Sequence, residues 1–129
     1  MEIARGIHRI EGVRGANSYL VFTDSGAALV DTGMPGNEKR ILEYIEGAGI
    51  EPKRLEYIIL THADIDHSGS VAKLKGLTDA KVAIHEADAP RLRREETEGG
   101  QGCYGCALRC DESIHPLHAR RTRRAPQRF

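Results

Sequence analysis

The chain has 129 residues, zero formal net charge and 40% hydrophobic residues, enough for one domain with a modest core. It has no apolar run long enough to span a bilayer, no apolar centre of a signal peptide near its start, and no net basic charge. These features exclude a membrane span, give no support to a nucleic-acid partner, and make the cytoplasm the expected compartment.

Residues 2–10 mix apolar and charged positions and predict a first strand, broken by Gly12 and Gly15. Residues 17–22, with Tyr19, Val21 and Phe22, predict a second. Thr23-Asp24-Ser25-Gly26 is a turn cluster that returns the chain into a third strand over 27–30. Asp31-Thr32-Gly33 closes that strand in a tight turn, and Pro35 and Asn37 announce a helix. Ile41, Leu42 and Ile45 recur at helical spacing, while Glu38, Lys39, Arg40, Glu43 and Glu46 form the polar face. Gly47 and Gly49 stop it. Residues 55–60 form a continuous apolar run that suits a strand buried on both faces. A short helix over 68–75, a strand over 81–84 and a helix from Glu86 to Arg94 interrupted at Pro90 complete the regular part. Strands alternating with helices after an initial hairpin predict an α/β fold with a mixed sheet.

The charge balance hides a division. Residues 1–98 carry 13 Lys and Arg against 17 Asp and Glu, whereas residues 99–129 carry six Arg, two acids and no Lys. All three cysteines, Cys103, Cys106 and Cys110, lie in this last part, and the reducing compartment expected argues for free thiols. Arg120-Arg121-Thr122-Arg123-Arg124 is a bare basic run. The large apolar residues Leu108, Ile114, Leu117 and Phe129 are too few for another strand–helix layer. The expected organisation is therefore a folded part over 1–95 and an atypical Cys- and Arg-rich tail over 96–129, disordered or derived from a shifted reading frame. A zinc knuckle built from Cys103-x-x-Cys106, Cys110, His115 and His118 is the competing reading of the tail.

The chemistry concentrates in Thr61-His62-Ala63-Asp64-Ile65-Asp66-His67-Ser68-Gly69. Two histidines and two carboxylates follow directly on a buried strand and precede a small-residue turn. His62 and Asp64, two apart in an extended segment, point the same way, and Asp66 and His67 can turn back toward them. Neutral imidazole and anionic carboxylate together suit zinc, iron or manganese. Asp31, at the end of a neighbouring strand, is placed to accept a histidine ring proton and fix its tautomer. A nucleotide-binding loop near Gly12 and Gly15 is excluded, because no strand–GxxxxGK[ST]–helix pattern follows.

These segments carry a family resemblance. Asn17-Ser18-Tyr19-Leu20-Val21, Val30-Asp31-Thr32-Gly33, the run from Ile59 to Gly69 and Ile84-His85-Glu86-Ala87-Asp88 together resemble the N-terminal half of the metallo-β-lactamase superfamily. The resemblance is closer to glyoxalase II-like hydrolases than to true β-lactamases. It implies an αββα sandwich, here truncated to its N-terminal half, with one or two metal ions at one edge. It implies His62 and Asp64 on one metal, Asp66 and His67 on the other, and Asp31 behind them. Asp66 would also orient the water that attacks an ester, thioester, amide or phosphoester of a small-molecule substrate. Zinc is the first expectation, with iron or manganese as alternatives. Two departures stand out. Asp64 occupies the place of the motif's second histidine, and the downstream half that supplies further ligands has no counterpart here. A chain of this kind is either a metal-dependent hydrolase, or a metal-binding or interaction module or inactive fragment without turnover. Half a sandwich exposes a sheet face, so a homodimer through that face is also expected.

Overall fold

The structure is a computed structural model that describes residues 1–92 and the backbone of 93–94 and 114–117. It is a single seven-stranded sheet whose spatial order follows the chain, β1 to β7. Strands β1 (Glu2–Ala4), β2 (Ile7–Ile10), β3 (Ser18–Thr23) and β4 (Gly26–Val30) form successive antiparallel pairs. Strands β5 (Leu55–Leu60), β6 (Lys81–His85) and β7 (Ile114–Leu117) then add parallel to β4 and to one another.

The expected single strand over 2–10 is a hairpin. Gly6 breaks it at a φ of +73°, in space where a Cβ would lie 2.5 Å from the Phe22 carbonyl oxygen. Only glycine fits that close approach. The expected helix over 68–75 is two pieces, α2 (Ile65–Ser68) and α3 (Val71–Thr78), so Asp66 and His67 sit on a helical turn rather than in a loop. The last helix, α4 (Ala89–Arg94), starts later than expected, with Pro90 in its first turn where a missing N–H costs nothing. One more strand, β7, continues the sheet. Ile114–Leu117 lies in the part read as too poor in apolar residues for a further layer, yet it pairs along β6, Val82 opposite Ile114 and His85 opposite Leu117. A parallel edge strand needs only backbone groups to continue a ladder, so four residues suffice. Cys103, Cys106, Cys110 and His118 lie outside the described residues.

Helix α1 (Glu38–Gly47) buries Ile41 and Ile45. It ends in a two-bond stop. The Gly49 N–H reaches the Glu46 carbonyl at 2.9 Å, and the Ile50 N–H reaches that of Ile45 at 3.1 Å. Gly49 carries the positive φ, +79°, that this ending requires. Ile41 and Ile45 join Leu20, Leu29, Ile58, Leu60, Val82, Ile84, Val71, Leu74, Ala89 and Leu92 in one core. Helices α1, α3 and α4 therefore share one core on one face of the sheet. The other face carries Tyr19, Val30 and Ile59 in one cross-strand row and Val21, Ala28 and Tyr57 in the next. None of these six belongs to the core. This is the architecture of half a sandwich. Among the described residues no helix is long and apolar enough to cross a membrane.

Candidate metal centre

The candidate residues gather at the carboxyl edge of the parallel strands. Asp31 follows β4, Thr61 to His67 follow β5, and His85 ends β6. In open α/β sheets this edge is where ligands bind.

Asp31 organises the edge. It is only 4% exposed, and its φ of +57° is unusual for a residue with a Cβ. Its surroundings hold that conformation. Its N–H donates to the Ile59 carbonyl at 2.9 Å, and its own carbonyl accepts the Ser18 hydroxyl at 2.7 Å. Three donors converge on its carboxylate. The Thr61 N–H reaches Oδ1 at 2.9 Å, while the Thr61 hydroxyl and His67 Nδ1 reach Oδ2 at 2.8 and 2.9 Å. With Nδ1 of His67 given to the carboxylate, Nε2 offers the lone pair.

The Asp31-Thr32-Gly33 turn also grips the backbone of the His-rich segment. Thr32 donates through both its N–H and its hydroxyl to the His67 carbonyl, at 2.8 and 2.9 Å. The Gly33 carbonyl accepts the Gly69 N–H at 2.9 Å, and the Asp66 carbonyl accepts the Ala16 N–H at 3.0 Å. Behind the turn, buried Asn37 donates to the Arg14, Thr32 and Met34 carbonyls at 2.9, 3.2 and 3.0 Å and accepts the Arg14 N–H at 3.2 Å. The site is thus held by backbone anchors on several elements, which fixes where its side chains can go.

His62, Asp66 and His67 each place one ligand atom within 4.8 Å of the others'. The two imidazole rings lie 4.0 Å apart between centroids. His67 Nε2 is 3.7 Å from Asp66 Oδ2, and His62 Nε2 is 3.5 Å from Asp64 Oδ2. Each histidine thus stands beside one carboxylate. Asp64 is not part of the three-residue cluster, and its other oxygen is taken by Arg91 of α4 at 2.6 Å. The Arg91 hydrogen bond and charge, with smaller help from His62 and His67, hold the Asp64 carboxyl below its ordinary range. Asp64 therefore stays ionised further into acid than a lone aspartate, available beside His62. His85 stands apart, its Nδ1 accepting the Ala87 N–H at 3.1 Å.

The donor set fits a metal ion. It combines two imidazoles and a carboxylate in reach of one point, and one imidazole is oriented from behind by a buried carboxylate. Sequence reasoning passed over Arg91 and the positions that tie the site together, Thr32, Asn37 and the Thr61 side chain. Thr61 and Thr32 are the nearest to a signal, each adjoining a charged candidate residue.

Comparisons with known proteins place the fold in a family. The family model described as the metallo-beta-lactamase superfamily matches residues 12–114. "Uncharacterized protein YobT" of Bacillus subtilis is 39% identical over 102 residues, 78% of this chain and 38% of that protein. "Probable metallo-hydrolase YflN" of the same organism is 32% identical over 98 residues, 74% of this chain and 37% of that protein. Among solved structures, a Cronobacter sakazakii metallo-beta-lactamase described by its HARLDQ motif superposes with a TM-score of 0.69 at 30% identity. The match covers 76% of this chain and 39% of that one. The chain spans less than two-fifths of the length of each of these relatives. Over that span, the matched model, the half-sandwich fold and the histidine-rich edge agree: the chain belongs to the metallo-β-lactamase superfamily.

Proposed function

We propose that this chain carries the metal-binding edge of a metal-dependent hydrolase acting on a small-molecule ester, thioester, amide or phosphoester. The observation that supports this most is the convergence of His62, Asp66 and His67, with the His67 ring held by buried Asp31. His62, Asp66 and His67 would hold the ion, and Asp64 stands beside His62 to join them. Zinc suits this nitrogen and oxygen set best, with iron or manganese next. A bound ion would supply Lewis acidity and lower the pKa of water toward neutrality.

The chain's own residues supply the rest. Asp31 and the Thr32 contacts keep His67 in place without rearrangement. Asp66, whose side chain is 51% exposed, can accept a hydrogen bond from a water nucleophile. Arg91 restrains Asp64.

Asp64, whose Oδ1 is held by Arg91, lies outside the three-residue cluster, and this favours a second reading, a metal-binding module without turnover. Hydrolysis of a generic p-nitrophenyl ester and of bis-p-nitrophenyl phosphate by zinc- and manganese-loaded protein separates the two. The hydrolase reading predicts metal-dependent turnover that His67→Ala lowers by more than about 100-fold. Metal binding with no turnover on any such substrate would select the module. Turnover that survives His67→Ala would show that the site lies elsewhere.

A further inference from the structure

The hydrogen bonds around Asp31 reach one residue further than the site described above. Thr61 Oγ1 lies 2.8 Å from Asp31 Oδ2 and 3.0 Å from His62 Nδ1. A hydroxyl has one proton and two acceptor lone pairs, and an ionised carboxylate only accepts. The carboxylate already collects the Thr61 N–H and the His67 ring nitrogen, the pattern of an ionised acceptor. The Thr61 hydroxyl must therefore give its proton to Asp31. That leaves only lone pairs toward the rings, with His67 Nδ1 at a longer 3.4 Å and His62 Nδ1 at 3.0 Å, and His62 must meet the oxygen with an Nδ1–H.

We propose that Thr61 is a positioning residue whose hydroxyl relays the polarity of Asp31 to His62, so that one buried carboxylate sets both histidines to present Nε2. The inference rests on the reading of His62 and His67 as metal ligands. The direct arm fixes His67 and the relayed arm fixes His62. Neutral imidazole has two tautomers, and only the one protonated at Nδ1 has a lone pair at Nε2. Thr61 is exposed, so its bond to His62 competes with water. What favours the ordered arrangement is that the threonine is anchored twice to the same buried carboxylate, through N–H and hydroxyl. The Thr61 N–H bond does not depend on the side chain, so Thr61→Val removes the relay and keeps the backbone anchor.

The test reads tautomers in the metal-free protein and metal affinity separately. Histidine ring nitrogen-15 correlation spectra would be recorded at about pH 8.5, two units above the ordinary imidazole value. They would cover the native protein, Thr61→Val and Thr61→Ser, with ring signals assigned by single histidine substitutions. The native protein and Thr61→Ser are expected to show His62 protonated at Nδ1. In Thr61→Val the Nε2–H form of His62 appears, while His67 keeps its Nδ1–H against Asp31. Zinc titration against a competing chelator is expected to show an affinity lowered about 10- to 100-fold in Thr61→Val and restored in Thr61→Ser. A native His62 protonated at Nε2, or a His62 unchanged in Thr61→Val, overturns the relay. Absence of zinc binding by the native protein would instead overturn the ligand reading, while the tautomers still decide the relay.

Discussion

Asp31→Asn is expected to weaken metal binding by about 100-fold or more while leaving the metal-free fold in place. The reason is directional. The Thr61 backbone N–H can only donate, so the amide oxygen of the introduced asparagine must stay where Oδ1 is now. The amide nitrogen then takes the place of Oδ2, which at present accepts from Thr61 Oγ1 and His67 Nδ1. An NH2 group donates, so His67 must offer a bare Nδ1 and carry its proton on Nε2, the nitrogen a metal needs. The Thr61 hydroxyl, receiving a hydrogen bond instead of giving one, is released to donate to His62 Nδ1 and reverse that ring as well. A change of one atom thus turns both histidines the wrong way. Volume hardly changes and every hydrogen bond has a partner in the reversed pattern. The metal-free thermal midpoint should therefore move by no more than about 5 °C, the shift that about 1 kcal/mol produces in a domain of this size. Chelator competition and a melting curve check both statements. Unaltered metal affinity would remove Asp31 from the site.

The second large effect is on stability. Gly33→Ala is expected to cost about 3 kcal/mol or more, lowering the midpoint by about 10–20 °C. Gly33 has a φ of +69°, and a Cβ there would meet the Arg14 carbonyl oxygen at 2.3 Å, Asn37 Nδ2 at 2.5 Å and Val13 Cγ1 at 2.6 Å. Neither the carbonyl nor Asn37 can retreat cheaply, because they are hydrogen-bonded to each other at 2.9 Å. The Gly33 carbonyl also anchors the Gly69 N–H, so the damage reaches the histidine segment. Gly76→Ala is the control. It sits within α3 with nothing within 4 Å of a Cβ, and alanine there should stabilise by about 0.5–1 kcal/mol. Thermal or urea unfolding of the two variants measures the contrast. Equal stability of Gly33→Ala and the native protein would show that the turn is looser than its contacts indicate.

Much of this was legible in the sequence where local pattern and tertiary role coincide. Ile41 and Ile45 announced the inner face of α1, and Asp31-Thr32-Gly33 announced a tight turn; the 55–60 run announced a strand, but one buried on a single face rather than both, with Glu56 and Tyr57 exposed. The hairpin at Gly6 was not legible. A glycine between apolar and charged residues carries no sign that Phe22 crosses it closely. Strand β7 was hidden because a parallel edge strand draws on backbone pairing with β6, which composition does not record. Asn37 read as a helix starter, and in the structure it makes no side-chain cap; its amide instead ties Arg14, Thr32 and Met34 together. The Asp64–Arg91 pair spans 27 positions and brings together two elements whose approach only the folded chain defines. The cluster of His62, Asp66 and His67 was visible as types and spacing. Which atoms they present depends on Asp31 and Thr61, contacts that the fold creates.

Whether this edge assembles a metal site is decided most directly by metal content per folded chain. Native protein and the Asp66→Ala/His67→Ala variant would be loaded with zinc, iron or manganese, passed through gel filtration and submitted to elemental analysis. Bound metal is expected in the native protein, together with its loss in a variant that remains folded. A native protein that retains none of the three metals, or a variant that retains as much as the native protein, would contradict the assignment.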